Sequence, residues 1–306
     1  MPQKQEATMK TGRKAVILSI TLDKPRPFEQ ILNLLEENAS NDCDLMLLPE
    51  ICLGNDNIIA MNGEEIQNVA AIAKKHRKYI VFPVFRKTDQ ARRLNSAILF
   101  DRYGNIKGVY DKIYPYWEEF YLTPPATPGN EAYVFETDFG KIGMAICFDV
   151  NFPDIWKRLR QKGAELVLWP SAYSAGTSLQ AHALNYNVNI ITSTLRSDCL
   201  VYDITGKEVF YGKNEGAGVY RNEIDLDRCI FHQDFTYEKR ERLLREHPDE
   251  IEMDCLLEKE GWFTLRAIKE GVSARALARE YGLEELYDYK ARSEREIDLM
   301  REEIWT

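Results

Sequence analysis

Between residues 14 and 85, short apolar runs alternate with stretches of helical period, and this alternation restricts the fold more than any other feature of the chain. Residues 14–21, 44–48 and 79–85 are the apolar runs, too short for globular helices and rich in aliphatic side chains, as buried strands are. Between them, residues 25–38 carry Phe28, Ile31, Leu32 and Leu35 at helical spacing, and residues 64–76 carry Ile66, Val69, Ala70 and Ala73 on one face. The order βαβαβ requires a sheet with helices laid over it. Residues 95–100 and 106–110 then flank a turn supplied by Gly104 and Asn105, and a second reversal centres on Asp138, Phe139 and Gly140. A strand at 143–146, a helix at 154–162, a strand at 165–169, a helix at 178–187 and a strand at 188–194 renew the alternation. Closing strands flank residues 205–207 and cover 218–224. Alternating elements interrupted by hairpins predict a core of two sheets flanked by helices.

Three apolar runs stop at residues with chemistry. Residues 143–146 end on Cys147, with a tight connection over 148–152 and a helix opening at Pro153 and Asp154. Residues 44–48 run through Pro49 into Glu50, and residues 106–110 lead to Lys112, ahead of Glu118 and Glu119 in an aromatic setting. Cysteine is among the most buried residue types, so a Cys closing a strand is by itself a packing residue. Strand ends are nevertheless where α/β sheets gather sites. A thiol between a strand and a helix start also lies near backbone N–H groups, a setting that suits a nucleophile.

Composition narrows the class. The 306 residues suffice for one large α/β domain with an appendage, or for two ordinary domains. No apolar run approaches a membrane span, and residues 1–13 are polar and basic without the apolar segment of a signal peptide. A flexible N-terminal arm and a cytoplasmic protein are therefore expected. The six cysteines form no CxxC pair and His76, His182, His232 and His247 are scattered, which argues against a zinc cluster or a disulfide framework; no metal or cofactor is expected. The net charge of −9 is concentrated in the tail, where 20 acidic and 13 basic residues follow from Phe231 on. Phosphate binding needs surplus cations, so nucleic acid is not expected as a partner.

The stretches "LLPE" ending at Glu50, "YDKIYP" around Lys112, "WEEFY" with Glu118, and "GMAICFD" around Cys147 resemble, in that order, the motifs of the nitrilase or carbon–nitrogen hydrolase superfamily, and more closely its amidase and N-carbamoyl amidase-like members. The resemblance runs from about Val16 to Asp227 and implies a four-layer αββα sandwich over residues 14–232. It also implies Glu50, Lys112 and Cys147 as the catalytic set, with Glu118 as a second glutamate and neighbouring Glu119 as its rival. Because a neutral thiol is a poor nucleophile, Glu50 is expected to take the Cys147 proton. Lys112 and the Phe148 backbone N–H are expected to hold the oxyanion of a reaction that passes through a thioester.

Small amides or N-carbamoyl amines are the expected substrates, since nitrile-cleaving members follow their Cys with Trp-Glu where this chain has Phe148 and Asp149. Many relatives carry an Arg at the position of Asn151, and an Asn after the position of Thr192, where Ser193 and Thr194 stand here; the far wall of the pocket is thereby this chain's own. Tyr114, Tyr116, Trp117, Trp169 and Tyr173 are the candidates for an aromatic wall, and Asp149 for a structural role. Two other readings use the same chain: acyl transfer to an amine by the same residues, and a DNA-binding or assembly protein on an inactive hydrolase scaffold.

Residues 233–306 lie outside the resemblance and read as a helical extension, highly charged and broken at Pro248, Gly261, Gly271 and Gly282. Residues 271–286, with Ser273 as N-cap and Gly282 at a turn, resemble the first half of a helix-turn-helix. Glu284, Glu285 and Asp288 at the start of its second helix would oppose phosphate, so a packed helical hairpin is the favoured reading. Leu256, Leu257, Trp262, Phe263, Leu265 and Ile268 form an apolar neighbourhood expected to bury against a partner, and a homo-oligomer is expected.

Overall fold

The computed structural model describes residues 13–305, with side chains to residue 302; all but the last residue of the expected N-terminal arm, 1–13, lies outside the described residues. The chain forms two compact units, one of residues 15–224 and one that joins Lys14 to the residues from Asp225 onward.

In the first unit, strands β1 (Lys14–Thr21), β2 (Leu45–Leu47), β3 (Ile58–Ala60), β4 (Tyr79–Lys87), β5 (Arg93–Phe100) and β6 (Ile106–Asp111) alternate early on with helices α1 (Phe28–Asn38) and α2 (Glu64–His76). Then come β7 (Val134–Glu136), β8 (Lys141–Met144), α3 (Pro153–Gln161), β9 (Leu166–Ser171), α4 (Gly176–Tyr186), β10 (Asn189–Thr194), β11 (Asp198–Tyr202), β12 (Glu208–Lys213) and β13 (Gly218–Asp225). One sheet has the order β13-β1-β2-β4-β5-β6, with β3 pairing to β4, and the other the order β12-β11-β10-β9-β8-β7. The inner strands β1, β2 and β4 run parallel, as do β8, β9 and β10, and β5, β7 and β11 join them antiparallel.

Why these strands read as unbroken apolar runs follows from their burial. Val16, Leu18, Ile20, Met46, Leu48, Ile80, Phe82 and Val84 pack under Ile31 and Leu35 of α1 and Ile66, Val69 and Ala73 of α2. The alternate residues Ile17, Leu45, Leu47 and Val81 are fully buried as well. They face the second sheet, so both faces favour apolar residues. The sheets are tied directly: Leu22 N donates to Thr194 O at 3.0 Å and Ser193 Oγ to Ile20 O at 2.8 Å. On the outer side of the second sheet, α3 buries Ile155, Trp156 and Leu159, and α4 buries Leu179, His182 and Ala183. Gly143 of β8 lets α3 come close, since a Cβ there would sit 3.0 Å from Leu159 Cδ2. The result is the αββα sandwich. The strands and helices expected from sequence are present in this unit, and only the three-residue β3 has no counterpart among them.

The second unit departs from the helical extension expected for 233–306. After β14 (Cys229–His232) and α5 (Tyr237–Glu246), residues Ile251–Leu257 (β15) and Trp262–Ala267 (β16) form a hairpin, and the sheet order is β14-β16-β15. Helices α6 (Ala274–Glu280) and α7 (Leu286–Trp305) follow. Charge density hid a period of two: Glu252 and Arg266 are register partners that pair at 2.5 Å on the outer face, while Ile251, Phe263, Leu265 and Ala267 point into a core with Leu243, Ala274 and Ala278. Gly261, at φ 68°, closes the turn. Phe263 and Leu265 of the expected partner-facing patch are thus core residues, and Lys290 lies over the Trp262 ring at 4.5 Å, whereas Leu256 and Ile268 stay exposed. Ser273 caps α6 by accepting from Ala276 N at 3.1 Å. Glu285 and Glu284, at the head of the second helix of the hairpin, are engaged with Arg275 and Arg292.

Candidate active site

Glu50, Lys112 and Cys147 are 2%, 1% and 8% exposed, and together they line a cavity of about 690 Å³. Each arrives from a different strand end, as expected. Glu50 lies just beyond β2, where Leu48 N still bonds Val81 O at 3.2 Å. Lys112 follows β6, its N–H donating to Asn95 O at 2.8 Å and its carbonyl accepting from Gly129 N at 2.8 Å. Cys147 opens a single 3₁₀ turn, Cys147–Asn151, after β8.

Two of these turns are strained. Cys147 has φ 46° and Ile51, next to Glu50, has φ 42°, left-handed values that cost a residue with a Cβ, and a β-branched one most. The Cys147 turn is held by Asp149, which is fully buried. Its Oδ2 accepts from Ile146 N at 2.9 Å and from Tyr110 Oη at 2.6 Å, and its Oδ1 accepts from Tyr114 N at 2.9 Å. Burial pushes the Asp149 carboxyl up to about 6 against these donors. Pro153 then starts α3 at once.

The glutamate partnered with Lys112 is Glu119, not Glu118. Glu119 is buried and Lys112 Nζ bonds it directly, while Glu118 lines the cavity from an exposed position. The 3₁₀ turn Trp117–Tyr121 decides between the adjacent residues: Glu119 N donates to Tyr116 O at 2.8 Å, and the side chain folds back to accept from Tyr116 N at 2.9 Å. Glu50 Oε1 accepts from Lys112 Nζ at 2.8 Å and from Asn95 Nδ2 at 2.9 Å, and Asn95 Nδ2 also donates to Glu119 Oε2 at 3.1 Å. Asn95 thereby clamps both carboxylates. It escaped the sequence reading, although a polar side chain inside the apolar run of β5 was the signal that could have shown it.

Charge and burial compete in this cluster. Burial works against the Lys112 ammonium, but Glu50, Cys147 and Glu119 outweigh it and hold Lys112 above the ordinary lysine range. Burial first, and then the charge of Glu50, push the Cys147 thiol up, while Lys112, the Ser171 side chain and the Ala172 N–H pull the other way. The balance favours the thiol over the thiolate. The Ala172 N–H that pulls the thiol down also donates to Glu50 Oε2 at 2.9 Å.

Among the other candidates, Phe148, Asn151, Tyr116 and Tyr173 line the cavity. Tyr173 is pushed up to about 12 by burial and then by Cys147, so its hydroxyl stays neutral. Tyr114, Trp117 and Trp169 are not among the lining residues. Tyr114 stacks on Phe152 at 3.6 Å and donates to Asp154, Trp117 is 54% exposed, and Trp169 is buried behind Tyr173. Ile51, Asn55, Leu122, Ala172 and Arg196 complete the wall. Among the described residues no group of three or more His, Cys, Asp or Glu side chains is placed to hold a metal, and no helix is long and apolar enough to cross a membrane.

The strand ends of the αββα sandwich thus converge on a buried thiol, two carboxylates and an ammonium. Residues 15–229 match the model of the carbon-nitrogen hydrolase family, and the chain belongs to that family. It is 26% identical over 177 residues to a hydrolase of Schizosaccharomyces pombe, a match covering 53% of this chain and 55% of the relative. It is 24% identical over 212 residues to the omega-amidase NIT2 of Mus musculus, covering 62% and 76%. The chain thus spans little more than half the length of the first of these relatives. An amidase of the nitrilase superfamily from Nesterenkonia sp. AN1 shares the fold, with TM-score 0.63 at 18% identity over 79% of this chain and all of that one.

Proposed function

We propose that the protein hydrolyses a non-peptide C–N bond in a small amide or N-carbamoyl amine through a thioester on Cys147. The observation that carries this reading is the buried set of Glu50, Lys112 and Glu119 grouped with a thiol at the floor of one cavity. Glu50 Oε2 takes the Sγ proton as sulfur attacks the carbonyl carbon. The oxyanion meets Lys112 Nζ and the Phe148 N–H, a donor at the head of the 3₁₀ turn with no partner within that turn; such donors contribute roughly 3 kcal/mol each. Collapse expels the amine or ammonia, which takes the proton from Glu50. Glu50 then takes a proton from the water that attacks the thioester and returns it to sulfur as the acid leaves. Glu119 fixes Lys112 in place. That a structure of the Nesterenkonia amidase shows covalent addition of the acetamide moiety of fluoroacetamide at its active-site cysteine supports assigning the same role to Cys147.

Ammonia release from a panel of amides and N-carbamoyl amines tests the reading. Wild type is expected to release ammonia from members of the panel, and Cys147→Ala to lose at least about 10⁴-fold in kcat while keeping its circular dichroism and melting behaviour. Turnover retained by Cys147→Ala would overturn it.

A further inference from the structure

The cavity wall holds one charged group that the hydrolytic steps do not use and that is a cation. Arg196 lies in the connection from β10 to β11, lines the cavity with Cys147 and Tyr173, and is exposed. Among the described residues its guanidinium has no hydrogen bond, ion pair or ring contact. Its backbone, by contrast, is fixed. Thr194 Oγ1 accepts from Arg196 N at 3.1 Å and donates to Asp198 Oδ1 at 2.5 Å, and Ser174 Oγ donates to Asp198 Oδ2 at 2.5 Å. Leu195 N bonds Ser171 O at 2.9 Å, and Ser197 N bonds Leu22 O at 3.0 Å. Ser197 sits at φ 59°, a left-handed value that such a net of bonds sustains. The turn that carries Arg196 is therefore tied to the segment Ser171–Ser174 that bears Ala172 and Tyr173.

Resting on the hydrolytic reading above, we infer that Arg196 receives a carboxylate of the substrate, so that the molecules cleaved at Cys147 are small amides or carbamoyl compounds bearing an anionic group at the end away from the scissile bond. The ionisable groups lining the cavity, apart from the Cys147 thiol and the tyrosines, are Glu50, Glu118, Glu119, Lys112 and Arg196. Lys112 is already shared by Glu50 and Glu119. A second negative charge on the floor would meet two carboxylates, whereas at Arg196 it meets an unpaired planar fork suited to bidentate binding. This orients the molecule: carboxylate at Arg196, uncharged carbonyl over Cys147, and the carbon chain along Ile51, Leu122 and Phe148.

The test compares succinamate, butanamide and 3-aminopropanamide, which differ at the remote end as carboxylate, methyl and ammonium. Ammonia release is measured with wild type, Arg196→Gln, Arg196→Lys and Glu118→Gln, and binding of each compound is followed by calorimetric titration. Wild type is expected to favour succinamate over butanamide by about 10- to 100-fold in kcat/KM. Arg196→Gln is expected to lose that factor, mostly in KM, with butanamide changed by no more than about twofold, and Arg196→Lys to fall between. If no compound is hydrolysed, succinamate binding that Arg196→Gln abolishes upholds the carboxylate site and overturns the hydrolytic reading alone. Equal losses for succinamate and butanamide in Arg196→Gln would overturn the inference. So would the absence of any preference for succinamate in both turnover and binding, or a preference for 3-aminopropanamide that Glu118→Gln removes.

Discussion

Each compact unit buries a carboxylate beside a strand end, and the two carboxylates have different surroundings. In the second unit Asp227 is fully buried; its Oδ1 accepts from Ser273 Oγ at 2.6 Å and its Oδ2 from Ala274 N at 2.6 Å, which anchors the start of α6 over the β14-β16-β15 sheet. In the first unit Glu50 is as deeply buried and as well supplied with donors, from Lys112, Asn95 and the Ala172 N–H. Burial and satisfied hydrogen bonds thus do not separate a working carboxylate from a structural one. Glu50 shares its donors with a thiol and a second carboxylate, and all of them border a cavity. The Asp227 carboxylate accepts from groups that belong to the helix start.

Exchanging each carboxylate for its amide breaks the comparison or upholds it. Glu50→Gln removes the proton acceptor and is expected to lower kcat by about 10²- to 10⁴-fold, with folding retained. Asp227→Asn is expected to lower the stability of the second unit by about 1–3 kcal/mol, read by urea unfolding, because one amide hydrogen must then face a donor. Its kcat per folded molecule is expected to stay within about twofold of wild type. A large loss of kcat in folded Asp227→Asn would show that the two carboxylates are not distinct in kind.

The adjacent glutamates give a smaller and sharper contrast. Glu119→Gln leaves Lys112 with one carboxylate and weakens the hold on its ammonium, so a fall of about 10- to 100-fold in kcat is expected. Glu118→Gln touches no member of the cluster and is expected to leave turnover of neutral amides within about threefold. The reverse order would return the second role to Glu118.

The sandwich was legible in the sequence because its central strands are buried on both faces, which makes the mostly apolar runs 14–21, 44–48 and 79–85 stand out. The candidate site was legible where such a run stops abruptly, at Glu50 and Cys147, which line one cavity. Adjacency defeated the reading at Glu118 and Glu119, since both fit the motif and only the 3₁₀ turn from Trp117 decides which one folds inward. Arg196 gave no signal, because an arginine in a turn between strands has the sequence signature of an ordinary surface residue. In the tail, Glu252 and Asp254 around Met253 and Arg266 beside Leu265 looked helical by charge alone, and the strands became plain only in the pairing of β15 with β16.

Asp149 tests where the line between the two kinds of carboxylate falls. It belongs to the same unit as Glu50 and sits two residues from Cys147, yet it is not among the residues lining their cavity and, like Asp227, it binds backbone N–H and a hydroxyl. Burial raises its folded value from the ordinary 3.8 to about 6, so between those values the folded chain holds a proton that the unfolded chain has released. The folded state binds more protons there, and stability from this group is therefore present at low pH and lost as pH rises through about 6. From about pH 5 to about pH 7 the loss amounts to about 1 kcal/mol. Asp149→Asn cannot titrate, and its amide meets the Ile146 N–H, so the variant is expected to be less stable at both pH values. The signature is in the difference: wild type is expected to exceed Asp149→Asn by about 1 kcal/mol more at about pH 5 than at about pH 7, measured by urea unfolding. An equal gap at both pH values would mean that Asp149 is already ionised throughout this range, and that its donors, not its burial, set its state as they would for a carboxylate poised to act.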